Sequence, residues 1–388
     1  MKIVHIVTRL LRAGSEENTL ITAAGQIADG HEVTLIHGHE AMPDLAIAKA
    51  PGLRLAESPS LTREVAPLKD MAAWREIRRI LRGIGPDVVH THQSKAGIVG
   101  RWAASSAGVP LVVHGVHIIP YVDGGAGKRS VFLACERAAA RVTDGFIHVS
   151  EGMRRISRSH GVGPTSAHDV VPSGFDLRRF RDALPPEPAD PAWGGSTPGR
   201  GPVIAMLAAL EPRKGHAPLL RAISGVLRAR PDARLVLAGE GAERGRVEAI
   251  VAELGLADRV AVIGYRTDPE RIVAMADLCV HCSALEGLPR SVLQYLAAGK
   301  PVAMFDLPGL DEVVEAGSNA VVVPQGDWGA LIDAVTCLLD DPLHRARIAA
   351  GAAATDLARW DADLMAGRTT EIYRRLLEAK TSARAVAA

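Results

Sequence analysis

Short apolar runs rich in β-branched residues alternate with longer helical patterns along most of the chain. The first run, Lys2 to Thr8, is followed by a helical pattern from Asn18 to Asp29 and a second run from His31 to His37. Alternation of this kind predicts parallel strands joined by helical crossovers. The strands are apolar at nearly every position, which is typical of a sheet covered by helices on both faces. We therefore expect an α/β fold with doubly wound sheets.

The alternation continues on both sides of one interruption. Residues 182–201 read DALPPEPADPAWGGSTPGRG, where proline and glycine dominate and no periodicity survives. Such a stretch predicts a linker. A length of 388 residues also suits two domains better than one core. We therefore expect two Rossmann-like domains, at residues 1–181 and 202–360, with a cleft between them.

The same patterns predict the other elements. Before the linker, helices are expected at residues 74–83 and 129–141 and strands at residues 87–92, 110–117 and 145–150. After it, a helix is expected at residues 216–230, another from 361 onward, and strands at residues 202–207, 234–238, 259–263, 278–281, 301–305 and 320–323. Open α/β sheets bind ligands at the carboxyl ends of their strands, so the loops that follow strands are the candidate sites.

Composition excludes several classes of protein. A net charge of +1 gives no general attraction to nucleic acid or membranes. Aromatic residues make up 4% of the chain, too few to favour stacking on single-stranded nucleic acid. The first residues lack the pattern of a signal peptide, and no apolar window is long enough for a membrane span. The four cysteines then suggest reduced thiols in the cytoplasm.

The most informative loop follows the expected strand at residues 278–281. It runs from Glu286 through two turn-forming residues, Gly287 and Pro289, into a helix that carries Gln294. A helix N-terminus presents N–H groups that stabilise an anion, and the carboxylate before it can accept hydrogen bonds from sugar hydroxyls. Gln294 lies two turns further on nearly the same face, where it could reach a ribose. The alternative is an ordinary strand-to-helix turn with a solvated glutamate.

Two other loops carry candidate binding residues. Arg213 and Lys214 follow the first strand after the linker, where a cation is well placed for a diphosphate. The alternative for both is a basic helix start on the surface. The loop after the first strand, residues 9–17, contains Gly14 and lacks the remaining glycines of a dinucleotide-binding fingerprint. A dehydrogenase is therefore the least favoured enzyme class.

Histidines cluster near the ends of two expected strands, at His90, His92, His114 and His117. Alternation places His90 and His92 on one face of their strand, which would permit a metal site. No carboxylate cluster stands nearby in the sequence. The open alternatives are a site role or a structural role in the sheet.

These segments together resemble glycosyltransferase family four, which has the GT-B fold. The family signature is Glu, seven residues, Glu, and then a small-residue run ending in Gly-x-Pro-Val, and it is similar to the segment from Glu286 to Val302. The resemblance implies that Glu286 lies by the donor sugar and that Gly287, Leu288 and Pro289 line the sugar and phosphate site. It further implies that the C-terminal domain binds a nucleotide-sugar and the N-terminal domain binds the acceptor.

Two positions depart from the family pattern. The second carboxylate, which binds ribose hydroxyls, is Gln294 here, and an amide can make the same bonds. The family form Gly-Arg-Leu, three residues, Lys-Gly matches Lys214 and Gly215, while its arginine falls on Ala209. Arg213 could supply that cation. We expect nucleotide binding to be retained but weaker than in relatives that keep the family residues at positions 209 and 294.

The resemblance assigns further residues. The segments around His92 and His117 resemble family sequences that read Val-His-Thr-His-x-Ser-Lys-Ala-Gly and then His-Thr-x-His-Gly, and this resemblance implies that His117 faces the donor sugar. Gly14 and its neighbours resemble the loop that approaches the phosphate or the acceptor. The strand-end loops with Gly239 and Gly241, and with Tyr265 and Arg266, resemble those that hold the nucleotide. The acceptor side is expected at His92, Ser94 and Lys95. The terminal helix, residues 361–379, is expected to pack back on the first domain.

Three further patterns resemble functional sites, but a structural role is expected for each. Cys279-Val-His-Cys282 has metal-site spacing but lies in an apolar strand with no second cysteine pair, so structural thiols are expected. Asp361-Ala-Asp363 resembles a metal-binding Asp-x-Asp but belongs to a helical region. A basic amphipathic helix could contact an anionic membrane, and we favour the solvated face of a Rossmann helix; its basic residues are Arg75, Arg78, Arg79 and Arg82.

The sequence thus predicts a retaining, metal-independent glycosyltransferase with no cofactor. Its partners would be a nucleotide-sugar donor, UDP-linked by preference, and a lipid-linked, polysaccharide or small-molecule acceptor, with no nucleic acid. A cytoplasmic protein is expected, and a weak peripheral contact with the inner membrane face stays open. The alternatives are a nucleotide-sugar epimerase of the same architecture and a catalytically weak nucleotide-sugar-binding protein.

Overall fold

The structure is a computed structural model that describes most of the chain. The described residues are 1–11, 14–119, 121, 125–193, 201–284, 286, 289–307 and 310–387. Gly287, Leu288, Ala13 and part of the expected linker therefore lie outside the described residues.

The chain folds into two compact units. The first, unit 1, comprises Met1–Phe175 and Arg359–Ala388, and the second, unit 2, comprises Asp176–Ala358. Unit 1 is therefore completed by the C-terminal segment of the chain.

Unit 1 is built on a parallel sheet of seven strands in the order β3-β2-β1-β4-β5-β6-β7. The strands are β1 Lys2–Val7, β2 Glu32–His37, β3 Arg54–Glu57, β4 Val88–His92, β5 Leu111–Val116, β6 Gly145–His148 and β7 Ala167–Val170. β1 lies between β2 and β4, with His5 in register with His90. The order reverses direction at β1, so the carboxyl ends of β1 and β4 flank the switch point where such sheets bind ligands.

Helices cover both faces of this sheet. They are α1 Gly14–Ala28, α2 Pro43–Lys49, α3 Pro67–Ile84, α4 Ser94–Ala107, α5 Ala126–Ala140, α6 Glu151–Ser159 and α14 Ala362–Ala387. α14 packs against α1, where the absence of a side chain at Gly25 admits Ala366. Met365 and Tyr373 of α14 join Ile3, Val88 and Val113 in one buried cluster. The terminal helix is thus part of the core of unit 1, and it extends beyond the residue 379 expected from the sequence.

Unit 2 is built on a parallel sheet of six strands in the order β10-β9-β8-β11-β12-β13. The strands are β8 Val203–Leu207, β9 Arg234–Ala238, β10 Val260–Gly264, β11 Leu278–His281, β12 Val302–Phe305 and β13 Val321–Val323. The helices are α7 Leu177–Arg181, α8 His216–Ala229, α9 Arg244–Glu253, α10 Pro269–Met275, α11 Arg290–Ala297, α12 Trp328–Asp340 and α13 Pro342–Ala354. Here β8 and β11 flank the switch point.

The expected α/β class with two doubly wound parallel sheets is confirmed. The strands expected at residues 234–238 and 278–281 have the predicted bounds. The strands β3 and β7 were not predicted; they are short strands at the edges of the sheet with partly exposed patterns. Residues 182–193 were predicted to be linker, whereas Trp193 is buried against Val236 and Ala238 of unit 2.

Among the described helices, none is both long enough and apolar enough to cross a membrane.

Candidate active site

In unit 2, two basic residues lie just beyond the carboxyl end of β8. Residues Pro212–Lys214 form a short 3₁₀ helix that ends at Gly215, whose φ of 79° is left-handed. A Cβ atom at Gly215 would lie 2.6 Å from the Cys282 carbonyl oxygen. The loop after β8 and the loop after β11 therefore touch at their backbones, and the contact requires glycine.

Glu286 lies in the loop after β11 and bonds both basic residues. Its Oε1 accepts a hydrogen bond from Lys214 Nζ, and its Oε2 lies 3.3 Å from an Arg213 guanidinium nitrogen. The His281 ring is 4.0 Å away. Glu286 is 9% exposed. The sequence could not show whether Arg213 points inward, and the structure places its guanidinium against the Glu286 carboxylate.

Electrostatics explain why a buried carboxylate stays ionised here. Burial alone would raise the pKa of Glu286, but the charges of Lys214 and Arg213, joined by that of His281 at the low pH where its ring is protonated, outweigh burial and lower that pKa to about 2. Burial lowers the pKa of His281 to about 4, so this ring is neutral at pH 7. The cluster thus places Lys214 and Arg213 around Glu286 at the switch point of unit 2, and Arg213 also pairs with Glu211 at 2.9 Å. An incoming diphosphate could compete with Glu286 for both cations.

Gly239 and Gly241 support this cluster through their backbone. A Cβ at Gly239 would lie 1.9 Å from the Ala208 carbonyl oxygen, and one at Gly241 would lie 2.4 Å from that of Leu210. The Leu210 N–H also donates to the Glu240 carbonyl. These glycines therefore fix the segment that leads into Arg213 and Lys214. Ala209 in that segment is exposed.

The other predicted donor-binding residues of unit 2 differ in their contacts and exposure. The Arg266 guanidinium bonds the carboxylates of Asp190 and Asp268 at 2.8 Å each. Those bonds raise its pKa, so its charge is engaged within unit 2. Tyr265 is 40% exposed, and Gln294 is partly exposed on α11. Pro289 precedes the first residue of α11.

In unit 1, the loop after β1 is tied to the loop after β4. The Gln93 side-chain oxygen accepts hydrogen bonds from the N–H groups of Thr8 and Arg9 at 2.9 and 3.3 Å. Gln93 has φ of 62°, the only positive value among described residues other than glycine. Such a conformation costs about 1–3 kcal/mol and marks a functional or structural constraint. Gly14 begins α1 with open space where a Cβ would stand.

His92 and His117 belong to a hydrogen-bonded set of side chains. His92 Nδ1 lies 2.9 Å from His117 Nε2, and His92 Nε2 lies 2.9 Å from His5 Nδ1. His5 Nε2 in turn lies 2.8 Å from the Gln26 side-chain oxygen. Burial lowers the pKa of His5 and His117 to about 4 and the pKa of His92 well below its usual value. These rings are therefore neutral at pH 7.

The histidine set is also where the described residues could hold a metal. One ring nitrogen each of His5, His90 and His92 lies within 4.8 Å of the others, and all three rings are buried. Three neutral imidazoles suit zinc. However, both nitrogens of His5 and of His92 already lie at hydrogen-bonding distance from protein partners.

Two cavities of unit 1 meet at His117. One, of about 370 Å³, is lined by Gln93, Ser94 and His114, and the other, of about 270 Å³, by Asn18 and His92. Ser94 begins α4. Lys95 pairs instead with Asp70 of α3 at 2.5 Å, so its charge is engaged. His117 thus lines both cavities of unit 1.

The misleading patterns have structural roles. Cys279 and Cys282 are buried free thiols, and burial raises the pKa of Cys282 to about 12 and that of Cys279 above its usual value. Such thiols are inert. Asp361 caps the start of α14 by accepting from the Asp363 N–H.

Four residues that build these sites were not predicted from the sequence. His5 and Gln26 lie inside a strand and a helix that read as ordinary core elements, and His281 does likewise. Gln93 could have been predicted, because it lies between the strand that ends at His92 and the helix that begins at Ser94. The signal available in the sequence was a polar residue at a strand end or on the apolar face of a helix.

The comparisons with known proteins agree with this arrangement. The family described as Glycosyl transferases group 1 matches residues 194–355, and the Glycosyl transferase 4-like domain matches residues 13–174. D-inositol 3-phosphate glycosyltransferase of Thermobispora bispora is 31% identical over 75% of this chain and 71% of that protein. UDP-Gal:alpha-D-GlcNAc-diphosphoundecaprenol alpha-1,3-galactosyltransferase of Escherichia coli is 27% identical over 73% and 74%.

Solved structures show the same fold. Anabaena HepE in complex with UDP and glucose gives a TM-score of 0.79 at 21% identity over 96% of this chain and 99% of that chain. Sucrose-phosphate synthase of Thermosynechococcus elongatus gives 0.79 at 21% over 98% and 100%. With these relatives and its two Rossmann-like units, the chain belongs to the family-four glycosyltransferases of the GT-B fold.

Proposed function

We propose that this glycosyltransferase is retaining and metal-independent, and that it transfers a sugar from a nucleotide-sugar, UDP-linked by preference. The single observation that carries the proposal is the cluster of Lys214, Arg213 and Glu286 at the switch point of unit 2. Two cations there suit a diphosphate leaving group, and the carboxylate suits sugar hydroxyls.

The reaction needs charge stabilisation at the leaving group. The bond between the anomeric carbon and the diphosphate oxygen breaks, and the acceptor oxygen forms the new bond on the same face of the sugar. The acceptor proton passes to the leaving diphosphate oxygen. Lys214 and Arg213 offset the negative charge that develops on the diphosphate. The family resemblance assigns the sugar to Glu286 and His117, and the neutral His117 ring suits a hydrogen bond to a hydroxyl.

The same cluster supports a reaction without metal. Glu286 lies between the two cations and a second carboxylate, Glu211, pairs with Arg213 at 2.9 Å, so both carboxylates already bond protein cations and a divalent ion would face the repulsion of those cations. The cations occupy the role that a metal has at other diphosphate sites. We therefore propose that no metal and no cofactor take part.

UDP is the preferred nucleotide on two grounds. The first is the resemblance of the segment from His92 to Gly97. The second is that the Escherichia coli relative is named for UDP-Gal and the Anabaena neighbour was solved with UDP and glucose.

A lipid-linked acceptor has one structural feature in its favour. On α3 of unit 1, Leu68 is 89% exposed and Met71 is 49% exposed, and the exposed Arg75 and Arg79 continue the same stripe. Exposed apolar residues beside basic ones suit the surface of an anionic bilayer. The Escherichia coli relative is named for a diphosphoundecaprenol-linked acceptor. We propose that this stripe brings unit 1 to a membrane that carries the acceptor.

The alternatives make different predictions. An epimerase would convert the donor sugar without any acceptor, and the glycosyltransferase names of the relatives give it no support. A weak binding protein would bind nucleotide without turnover, as the changes at Ala209 and Gln294 would permit.

The test is a transfer assay followed by NMR of the product. The protein is incubated with UDP-glucose, UDP-galactose or GDP-mannose and a short-chain lipid-linked GlcNAc diphosphate, with EDTA throughout. We expect one donor to give an α-linked product from the α-linked donor. A β-linked product would contradict retention, and a covalent sugar adduct on any side chain would contradict front-face attack. Replacing Lys214 with methionine should abolish transfer, while Arg221→Met, a surface change elsewhere in unit 2, should leave it intact.

A further inference from the structure

Four side chains of unit 1 form one continuous chain of hydrogen bonds. It runs from the Gln26 oxygen to His5 at 2.8 Å, from His5 to His92 at 2.9 Å, and from His92 to His117 at 2.9 Å. Gln26 and His5 are fully buried and His92 is 1% exposed, whereas His117 lines both cavities. The chain therefore begins in the core and ends at open space.

With the Gln26 side-chain oxygen facing His5, as in the structure, the protons along this chain follow from counting. A neutral imidazole carries one N–H and one lone pair. Because the Gln26 oxygen can only accept, His5 donates from Nε2 and accepts at Nδ1. His92 must then donate from Nε2 to His5 and accept at Nδ1. His117 finally donates from Nε2 to His92, which leaves its Nδ1 with a lone pair.

The absence of a side chain at Gly115 leaves room for the histidine rings to lie close together. A Cβ atom at Gly115 would lie 2.9 Å from His90 Nε2, 2.9 Å from His92 Nδ1 and 3.2 Å from His117 Nε2. The three rings converge over a residue that has no side chain. No described residue bonds His117 Nδ1, so this nitrogen is available to a ligand.

We propose that Gln26, His5 and His92 are positioning residues that hold His117 in its Nε2–H tautomer, so that Nδ1 accepts a hydrogen bond from a hydroxyl of the donor sugar. This inference rests on the proposed function for the identity of the ligand. In this inference the orientation of the buried Gln26 amide, 21 residues along the chain from His5, decides whether the His117 nitrogen that meets the sugar donates or accepts a hydrogen bond.

Two other arrangements of the same residues predict different results. If the Gln26 amide were rotated, its N–H would donate to His5, every bond would reverse, and His117 would carry its proton on Nδ1. If His5, His90 and His92 bound a metal, the bond between His5 and His92 would be replaced by coordination. Each arrangement leaves a distinct signature on the ring nitrogens.

The test is a long-range ¹H–¹⁵N spectrum of the full chain labelled with ¹⁵N-histidine, without nucleotide. His117 is assigned by the signals lost in His117→Gln. We expect an unprotonated Nδ1 and a protonated Nε2 at His117. A protonated Nδ1, or stoichiometric metal in the purified protein by mass spectrometry, would overturn the proposal. The wild-type spectrum decides this without any variant.

Variants test whether the polarity comes from Gln26. In Gln26→Leu the acceptor is lost, and we expect His117 to give a mixture of tautomers. Thr19→Val is the matched control, because it removes a hydroxyl of the same helix that bonds the Ser15 backbone carbonyl and takes no part in the hydrogen bonds of the histidines. It should leave the His117 tautomer unchanged. An unchanged His117 tautomer in folded Gln26→Leu would refute the role of Gln26.

Kinetics separate this inference from the proposed function. Gln26→Leu should lower kcat/KM for transfer by about 10-fold, the loss expected for one hydrogen bond to the substrate, and should leave UDP binding unchanged. Absence of UDP binding in the wild type would refute the proposed function while leaving the tautomer result intact. A tautomer as predicted with undiminished transfer in Gln26→Leu would refute the positioning role alone.

Discussion

Replacing Glu286 with glutamine is expected to remove a pH-dependent part of the stability of unit 2. In the folded chain the pKa of Glu286 is lowered from 4.5 to about 2, because Lys214, His281 and Arg213 favour the charged form more than burial opposes it. Each pKa unit corresponds to about 1.4 kcal/mol, so the ionised carboxylate contributes about 3 kcal/mol.

The sign follows from the direction of the shift. A carboxyl group whose pKa is lowered by folding stabilises the protein at pH values above its unfolded pKa, which is 4.5. That contribution is lost as the pH falls towards the folded value of about 2. About 1 kcal/mol of it should be lost between pH 7 and pH 3.5. Glu286→Gln has no titrating group at this position and should not show that loss.

Urea unfolding followed by intrinsic fluorescence, at pH 7 and pH 3.5, measures the difference. The wild type should lose about 1 kcal/mol more free energy of unfolding than Glu286→Gln over this interval. Glu253→Gln is the control, because Glu253 is a fully exposed partner of Arg221, and surface ion pairs contribute little. Equal pH dependence in the wild type and Glu286→Gln would refute the assignment of Glu286 as a carboxylate held ionised by its neighbours.

The remaining predictions concern glycine contacts, backbone strain and the exposed stripe. Gly239→Ala should destabilise unit 2 by about 1–3 kcal/mol in a thermal unfolding assay, because its Cβ would overlap the Ala208 carbonyl. In the same assay Gly245→Ala should stabilise unit 2 by about 0.5–1 kcal/mol, because Gly245 lies on α9 with open space where a Cβ would stand. Gln93→Ala should lower the unfolding midpoint more than Gln93→Gly, because only glycine relieves the positive φ after the side-chain bonds are lost; equal midpoints would show that the strain is absent. Leu68→Ser should weaken sedimentation with vesicles of anionic phospholipid and leave nucleotide binding unchanged, and equal sedimentation would refute the membrane contact.

The fold could be predicted because its signals are local. Parallel sheets bury both faces, so their central strands appear as apolar runs, and the strand at Leu278–His281 is an example with four buried residues. The edge strand β3 has a partly exposed pattern and was missed. Trp193 shows the opposite case, because its proline-rich surroundings predict a linker while its indole packs against unit 2.

The candidate sites were predictable only where one loop carries the chemistry. Lys214 and Glu286 stand in strand-end loops and were found from their position. Whether Arg213 reaches Glu286 depends on side-chain direction across two loops, which spacing along the chain does not encode. His5 and Gln26 were missed because their pairing with His92 joins a strand, a helix and a second strand.

Calorimetric titration of the full chain with UDP, GDP, ADP and TDP, each with EDTA and again with magnesium, tests the central claim most directly. A ligand that binds only the folded protein must also raise its thermal midpoint, which gives an independent check. We expect saturable binding of UDP that is the same with and without magnesium, and that is lost in Lys214→Met. Failure of all four nucleotides to bind would contradict the proposal that unit 2 holds a nucleotide-sugar, and binding that required magnesium would contradict a reaction without metal.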